Sequence, residues 1–396
     1  MQTKTIGELC NVIGGKPAPS EKEAFENGVI PFLRMRDLGA YHHTNNLTEI
    51  KDKLNLQYVK KKNLKPVKSG ALLLPRSGSV ALNHRAILGV DAVIVSHVCA
   101  LEILNGRVLD RQYFYYYMTQ VDMSRITKKT TGLDAITFED LRQIKVPLPD
   151  LKIQQDIACI LQQADAARHK RWEANRLTEQ FLQSAFLEMF GDPVRNERGW
   201  EVVSLKTIIR NIDSGWSPVC EEFSRSHDDE WAVLKLGAVT YRVFNPHENK
   251  TLPKLLSGRE NIEVRKGDVL FSRKNTKELV GATVYVTDTP RKLMMSDTIF
   301  RLNYDSGIIS GYYIWYLFNE MRFRKRIQSL ATGSAGSMPN ISKDKLMGFK
   351  IPLPPLPLQN KFATLVGQVE RLRSRQRESE RELEKLFQSL MQRYFG

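Results

Sequence analysis

Short apolar runs separated by turn residues fill most of the chain. Examples are Ile30–Met35, Val90–Val95 and Ala282–Val286. Gly, Pro and Asn interrupt these runs, a pattern typical of short β-strands. One stretch with helical periodicity lies among the runs of each half, Asp110–Gln120 and Ser310–Ile327. Strands mixed with isolated helices predict compact α+β domains.

Two further stretches predict much longer helices. Apolar residues recur at spacings of three and four over Ile153–Met189 and again over Phe362–Leu390, and neither stretch contains proline. A helix over Ile153–Met189 is roughly 55 Å long at about 1.5 Å per residue, too long and too charged to be buried in one small domain. We therefore predict two long antiparallel helices that pair as a coiled coil. The alternative is that each helix packs on the surface of its own domain. The apolar positions expected on the seam and on partner-binding faces are Ile157, Ile160, Leu177, Phe181, Phe186, Val366, Val369, Leu383, Leu386 and Leu390.

The chain contains an internal duplication. Val146–Pro149 returns as Ile351–Pro354 at an offset of 205 residues, while Lys68–Arg76 aligns with Arg265–Arg273 at an offset of 197. A drift of this size is what loop insertions produce in a true repeat. We expect pseudo-two-fold symmetry between two similar mixed α/β domains that the long helices separate. The predicted segments are a first domain over 1–150, a long helix over 151–192, a second domain over 193–355 and a second long helix over 356–396.

The charge balance points to a polyanionic partner. The chain carries 59 Lys and Arg against 44 Asp and Glu, a formal net charge of +15. Residues 1–191 contain 26 basic and 20 acidic side chains, and the remainder contains 33 and 24. Because both halves of a folded chain are basic, nucleic acid is favoured over a small metabolite.

Several classes of protein lack support in the sequence. The four cysteines, Cys10, Cys99, Cys159 and Cys220, are far apart, which argues against a zinc site or a disulfide framework. The N-terminus lacks the apolar core of a signal peptide, and no apolar run is long enough to span a bilayer. We therefore expect a cytoplasmic protein with no membrane partner.

Motifs of catalysis are also missing. The chain has no phosphate-binding Gly-x-x-x-x-Gly-Lys-Ser/Thr loop and no Asp/Asn-Pro-Pro-Tyr/Phe tetrapeptide, and Asn245-Pro-His is not that motif. The histidines His42, His43 and His84 have no carboxylates at ligand spacing, so we expect no metal site. The sequence thus predicts a binding protein with no catalytic residues.

Two segments resemble a known family. Ile136–Ala158 is similar to the signature that closes each recognition domain in specificity subunits of type I restriction–modification enzymes, and Met189–Trp200 is similar to the join at which their second half begins. The resemblance covers essentially the whole chain. One departure is an extra proline before Gln359.

This resemblance implies a non-catalytic subunit with two target-recognition domains, each of which reads one half of a split, asymmetric target on double-stranded DNA. It further implies that the long helices bind two modification (methyltransferase) subunits and that motor-nuclease restriction subunits complete the assembly. S-adenosylmethionine, ATP and Mg²⁺ would then belong to those partners, with no cofactor in this chain.

Candidate DNA contacts are donors and acceptors on loops at matched places of the two copies. In the first copy they are Arg34, Arg36, Arg76, Ser77, Ser79, Asn83, His84, Arg85, Lys128, Lys129, Thr130 and Thr131. In the second they are Lys235, Tyr241, Arg242, Arg273, Lys274, Asn275, Lys277, Ser334, Ser337 and Asn340. The Arg76/Arg273 pair is the strongest, because it follows a strand-like run in both copies. The aromatic stretches Tyr113–Tyr117 and Tyr312–Phe318 are instead expected in the cores.

Two other classes of function stay open at this point. One is a self-contained restriction endonuclease or methyltransferase whose catalytic centre the motifs do not show, which would cleave or methylate DNA alone. The other is a coiled-coil DNA-binding regulator that acts as a homodimer. Such a regulator needs only one DNA-binding domain per chain, and the duplication argues against it.

Overall fold

The chain divides into two compact units. The computed structural model describes residues 2–40, 46–77, 80–126, 128–129, 134–333 and 338–396, without the side chains of residues 81, 128, 129, 134 and 179. The first unit consists of Met1–Ala174 together with Gln376–Gly396, and the second unit is Asn175–Arg375. Each unit therefore contains one α+β part and a portion of each long helix. The boundaries predicted from the sequence, which set each long helix apart as its own segment, stay a prediction.

The first unit is built mainly of short strands. Its strands are β1 (Thr3–Thr5), β2 (Cys10–Gly14), β3 (Ile30–Leu33), β4 (Lys53–Leu54), β5 (Leu72–Pro75), β6 (Ala86–Ile87), β7 (Val93–Ile94), β8 (Val98–Ile103), β9 (Lys128–Lys129), β10 (Asp134–Ala135) and β11 (Lys145–Pro147). Its helices are α1 (Ile6–Leu9), α2 (Met35–Ala40), α3 (Leu56–Lys61), α4 (Arg111–Gln120), α5 (Phe138–Arg142) and the start of α6 (Leu151–Phe190), with single 3-10 turns at Lys22–Phe25, Val80–Leu82 and Met123–Arg125.

The second unit contains a matching set of elements. Its strands are β12 (Glu201–Ser204), β13 (Ile209–Ser214), β14 (Ala232–Leu234), β15 (Asn249–Thr251), β16 (Val269–Ser272), β17 (Thr283–Tyr285), β18 (Leu293–Met294), β19 (Ile299–Tyr304) and β20 (Lys350–Leu353). Its helices are α7 (Gly237–Thr240), α8 (Gly311–Asn319), α9 (Met321–Gln328), α10 (Lys343–Met347) and the start of α11 (Leu356–Phe395), with 3-10 turns at Leu205–Thr207 and Glu260–Ile262.

The sheets of the two units have the same topology. A four-stranded antiparallel sheet has the order β2-β8-β5-β6 in the first unit and β13-β19-β16-β17 in the second. A three-stranded sheet has the order β4-β3-β7 or β15-β14-β18, and its central strand is parallel to one neighbour and antiparallel to the other. The first strand of each unit pairs with its last, as β1-β11 and β12-β20. The predicted duplication is therefore present in the strand order as well as in the sequence.

A central strand with both faces buried organises each core. In β5, Leu72 and Leu74 face a core that includes α4, while Leu73 faces the core of the three-stranded sheet. In β16, Phe271 and Leu270 divide in the same way between two cores. Side chains alternate between the faces of a strand, so a continuous apolar run is what a strand covered on both sides requires.

The aromatic stretches lie in the cores, as predicted. Asp110 caps α4 by accepting from the N–H groups of Gln112 and Tyr113 at 2.9 Å. Tyr113 and Phe114 are fully buried behind this cap. The helix predicted over Ser310–Ile327 is in fact two helices, α8 and α9. Glu320 adopts an extended conformation between them, and its carboxylate caps the start of α9.

Within each unit, portions of the two long helices pack against each other in antiparallel fashion. In the first unit, the start of α6 meets the end of α11, where Arg168 forms an ion pair with Glu384 at 2.8 Å and lies over the Phe387 ring. Both segments also pack against the aromatic residues of α4. In the second unit, Phe186 of α6 contacts Phe362 of α11. The helices thus pair with each other and also pack on their domains.

The buried face of the long helices differs by one residue from the prediction at several positions. Ile160, Leu177, Phe181 and Leu386 are 40–51% exposed, so they do not lie in a buried seam, and their role as partner-binding positions stays a prediction. Their neighbours Leu161, Leu182 and Phe387 are buried instead. The predicted positions Ile157, Phe186, Val366 and Val369 are buried, while Leu383 and Leu390 are half-buried. An α-helix has 3.6 residues per turn, so no single whole-number spacing keeps apolar side chains on one face. Because the long helices also contact the domain cores, their buried face is wider than the predicted stripe and is rotated relative to it.

A buried glutamine joins each long helix to its domain. Gln154 accepts from the Asp110 N–H at 2.8 Å and donates to the carbonyl oxygens of Val108 at 2.9 Å and Pro149 at 2.8 Å. Its counterpart Gln359 makes three equivalent bonds in the second unit. Both side chains are fully buried. Each glutamine satisfies backbone groups that water cannot reach.

Replacing Gln359 by alanine leaves those backbone groups unpaired. We expect Gln359→Ala, and equally Gln154→Ala, to lower the free energy of unfolding by about 2–4 kcal/mol. The exposed neighbours provide matched controls, since Asn360→Ala and Gln155→Ala should change it by less than about 0.5 kcal/mol. Denaturant titration measures both pairs. Equal stability of the buried and exposed variants would contradict the assigned role of these glutamines.

Candidate nucleic-acid interface

The first unit places Arg76 between two segments that are distant in sequence. Its N–H donates to the carbonyl of His97 at 2.8 Å, and its carbonyl accepts from the Ile136 N–H at 2.9 Å. The guanidinium lies 4.5 Å from the centre of the Phe138 ring, a cation–π contact. The next residue, Ser77, has its hydroxyl 2.7 Å from Nδ1 of His97. Arg76 is therefore held at the point where β5 leaves the sheet.

Arg273 occupies the same place in the second unit. Its N–H donates to the carbonyl of Thr298 at 3.0 Å, and its carbonyl accepts from the Ile341 N–H at 2.8 Å. Its guanidinium lies 4.9 Å from the centre of the Phe300 ring and donates from Nε to the Asn340 side chain at 3.1 Å. The fold thus brings a half-buried arginine to the end of the central strand twice, with the same backbone partners.

Segments that flank the Thr-Gly loops lie next to these arginines. In the first unit, β9 pairs with β10, and Ala135 bridges to Ser77. In the second unit, Asn340 bridges both to Thr332 and to Lys274. The described flanks of both loops therefore lie beside the residues that follow the predicted arginines. The candidates Ser79, Thr130, Thr131, Ser334 and Ser337 lie outside the described residues, as do His42, His43 and the side chains of Lys128 and Lys129.

Arg34 and Arg36 share one acidic partner. Both guanidinium groups contact the carboxylate of Asp52, and Arg34 also lies 5.5 Å from the centre of the Phe25 ring and 5.3 Å from that of Phe32. Part of their positive charge is therefore neutralised within the unit. Arg34 borders an open cleft of about 400 Å³, whose other lining residues are Phe25, Gly28, Lys51, Asp52 and Lys53.

In the second unit, two predicted clusters lie side by side. The loop after β16 reaches the end of α7, because the Asn275 amide donates to the Thr240 hydroxyl at 3.3 Å. Arg242 follows directly, and its carbonyl accepts from the Trp315 indole at 2.8 Å. Tyr241 is 77% exposed beside it. We name Tyr241, Arg242, Arg273, Lys274, Lys277 and Asn340 the second reading surface.

Two predicted contacts are corrected by their burial. Arg85 is only 2% exposed, and its guanidinium donates to the Asn83 side chain at 2.7 Å inside the unit. Loss of water lowers its pKa to about 10. Asn275 is 4% exposed and bonds to Thr240 and Ser272. In this conformation neither side chain can contact a duplex, because other parts of the chain cover it.

The other candidates differ in exposure. The exposed side chains are Arg36, Tyr241, Arg242, Lys274 and Lys277. The half-buried ones are Arg34, Arg76, Ser77, Asn83, His84, Lys235, Arg273 and Asn340.

The structure adds His97, which the sequence did not single out. This exposed residue contacts Ser77 and supplies the carbonyl that binds Arg76. His97 is equivalent in the repeat to Thr298, whose carbonyl binds Arg273, and this equivalence is the feature of the sequence that could have identified it. Asp52, the shared partner of Arg34 and Arg36, could not be identified from a local sequence pattern, because it lies 18 and 16 residues away from them.

The described residues contain neither a metal-binding cluster nor a membrane-spanning helix. No group of three or more His, Cys, Asp or Glu side chains that could hold a metal ion occurs in the part of the chain that the structure describes. Among the helices of that part, none has the length and apolar character to cross a bilayer.

Comparison with known proteins identifies the repeat. A family model described as the type I restriction modification DNA specificity domain matches residues 1–178 and 197–385, one stretch on each copy. The EcoEI specificity subunit of Escherichia coli is 38% identical over 168 residues, which are 42% of this chain and 28% of that subunit. The MjaVIII specificity subunit of Methanocaldococcus jannaschii is 24% identical over 408 residues, 98% of this chain and 90% of that one.

Solved structures show the same fold. The S subunit of a type I restriction–modification system from M. genitalium superposes with a TM-score of 0.60 at 12% identity, over 98% of this chain and 94% of that one. A chain from a study of complex assembly in a type I restriction–modification system gives 0.51 at 19% identity, over 100% and 97%. The predicted duplicated α+β fold is confirmed, and the family model confirms the predicted DNA-recognition class.

The exposed lysines of the second reading surface allow a direct test. We expect Lys274→Ala and Lys277→Ala to leave the free energy of unfolding within about 0.5 kcal/mol of wild type. If each lysine contacts a phosphate, each variant lowers the slope of log affinity against log salt by about one. Titration of duplex DNA at several salt concentrations measures this slope. Lys152→Ala, an exposed change on α6, is the control, and a wild-type slope for all three variants would remove both lysines from the interface.

Proposed function

Since the chain belongs to the type I restriction–modification DNA specificity family, we propose that it is the non-catalytic subunit that reads a bipartite, asymmetric DNA target. In this role it directs methylation and restriction by partner subunits. The observation that carries the proposal is the repeated placement of Arg76 and Arg273 on two units with the same strand order. Two units with the same topology in one chain match two half-sites on one DNA molecule.

The side chains around the matched arginines differ between the units. Ser77 follows Arg76, whereas Lys274 follows Arg273. Arg34 follows β3, whereas Lys235 follows β14. Because base edges are distinguished by the pattern of donors and acceptors presented to them, different side chains on one frame read different bases. The two half-sites should therefore differ, which makes the target asymmetric.

Phosphate contacts supply the affinity in this proposal. Both halves of the chain carry an excess of basic residues, and the exposed members of the second reading surface include Arg242, Lys274 and Lys277. Neutralised phosphates release counterions, so binding weakens steeply as salt rises. Base contacts from the loops then select the sequence.

The family places the chain in an assembly with modification and restriction subunits and with DNA. We assign two modification subunits, one for each copy of the repeat. Phe181 and Leu386 occupy equivalent positions of the duplicated sequence on α6 and α11, and both are 51% exposed. Exposed apolar side chains at matched places favour two similar docking sites. S-adenosylmethionine, ATP and Mg²⁺ are assigned to these partner subunits, with none bound by this chain.

Substitution of the matched arginines tests the reading role. We expect Arg76→Ala to relax the first half-site only and Arg273→Ala the second only, by roughly 1–3 kcal/mol if the arginine reads a base. Sequencing of methylated adenines in cells that express each variant with its modification subunit gives the readout. An equal loss on every DNA sequence would reassign these residues to phosphates. DNA cleavage or methylation by the purified chain alone would overturn the non-catalytic role.

Exchange of one domain tests the two-reader arrangement. We expect that replacing residues 1–150 with the matching domain of a relative changes one half of the methylated target and leaves the other half unchanged, because each unit has its own cores and its own loops. The reciprocal exchange of residues 193–355 is the matched control. A chimera that altered both halves of the target would contradict independent readers.

A further inference from the structure

A buried guanidinium lies behind the second reading surface and has no acidic partner among the described residues. Arg324 of α9 is 5% exposed. It donates to the Asn319 side chain at 3.1 Å and to the carbonyl oxygens of Glu278 at 3.3 Å and Leu279 at 3.2 Å. Across the described ranges no carboxylate lies within ion-pair distance of it. Burial, and to a smaller degree the charge of Arg242, lowers its pKa to about 10. An uncompensated buried cation opposes folding, so its presence needs a reason.

The bonds of Arg324 fix the loop that carries the reading side chains. This loop runs from Arg273 to Gly281, and the Glu278 carbonyl also accepts from the Gln328 amide at 2.8 Å. Both donors lie on α9 and reach the inner side of the loop, while Lys274 and Lys277 are exposed. Asn319, the last residue of α8, places the guanidinium at the negative end of that helix dipole. The loop is thereby joined to α8 and α9 at its second half.

The first unit also has a buried arginine behind its loop, but this residue precedes β6 and does not lie on a helix. Arg85 is 2% exposed and donates to the Asn83 side chain and to the carbonyl of His84, both at 2.7 Å. The Asn83 amide in turn donates to the carbonyl of Thr119 at 2.9 Å. Thr119 on α4 corresponds to Asn319 on α8 at the offset of 200 that aligns these helices. Here the Asn83 side chain joins the loop after the central strand to the end of the inner helix, and the buried Arg85 guanidinium holds that side chain.

In each unit a buried arginine binds oxygens of the loop after the central strand, although the two arginines come from different sequence positions. In the second unit the arginine comes from a helix and binds the loop, whereas in the first it comes from the loop side. An apolar side chain of similar volume would fill the space without the desolvation cost of a charge. What it cannot do is bind several carbonyl and amide oxygens at once, which only a guanidinium with its five N–H groups does.

We propose that Arg324 and Arg85 are positioning residues for DNA recognition, each of which fixes the course of the reading loop in its own unit and so sets the selectivity of one half-site. The inference rests on the proposed function. Bidentate contacts to base edges need donors held in place by supporting hydrogen bonds. A loop released from its arginine still offers the same charges to phosphates, but it discriminates less between bases.

The test uses the complex with its modification subunit and compares Arg324→Met, Arg324→Lys and Arg85→Met with wild type. Methylation rates are measured on the target and on targets with one base pair changed in either half-site. We expect Arg324→Met to reduce discrimination between matched and mismatched base pairs at the second half-site about tenfold, and to leave discrimination at the first half-site unchanged. Arg85→Met should show the reverse pattern. Arg324→Lys should recover part of the discrimination.

Hydrogen exchange provides a readout that does not depend on DNA. Amides of residues 274–281 should exchange faster in Arg324→Met, while those of β16 and β19 should not. Arg326→Met is the control, because this residue of the same helix lies over the Phe323 and Phe349 rings, away from the loop oxygens that Arg324 binds.

Wild-type discrimination in a folded Arg324→Met protein would overturn the proposal, and so would equal losses at both half-sites together with a lower melting temperature. A wild-type complex that methylates without a bipartite target would overturn the proposed function itself, and this inference with it.

Discussion

Burial of the central strand on both faces is the constraint on which each unit depends. Leu72 and Leu73 of β5 point into two different cores, and Phe271 and Leu270 of β16 do the same. A strand held from both sides has a fixed end, and the residue that follows it has a fixed position. Arg76 and Arg273 are those residues. The apolar packing of the sheets therefore decides where these two polar side chains lie.

The two units share the same buried framework of strands but have different exposed loops, because the framework and the loops are formed by different residues. Strand order and the buried glutamines repeat between the units, and both belong to the interior of each unit. The exposed loop residues differ almost freely, since surface side chains contribute little to folding. A duplicated fold can thus keep its stability while its two halves come to recognise different sequences.

Hydrogen bonds from buried polar side chains fix the direction of helices and loops at points where apolar packing does not. Gln154 and Gln359 bind backbone groups at the base of each long helix, and Arg85 and Arg324 bind oxygens behind the reading loops. Apolar contacts are tolerant of small shifts, whereas hydrogen bonds specify distance and angle. These four side chains occur where a helix or a loop must leave the core in a defined direction.

The sequence by itself determined the duplication, the α+β class, the Arg76/Arg273 pair and the long helices, because each of these is written in local periodicity or in repeated residues. Tertiary structure decided which of two adjacent apolar residues turns inward, as with Leu182 rather than Phe181, and it divided the helix predicted over Ser310–Ile327 at Glu320. It also buried Arg85, which local sequence placed on a loop. Periodicity fixes the type of an element and roughly its inner face, since these depend on neighbours along the chain. Exposure and ion pairing depend on neighbours that only folding brings near, and no local pattern contains them.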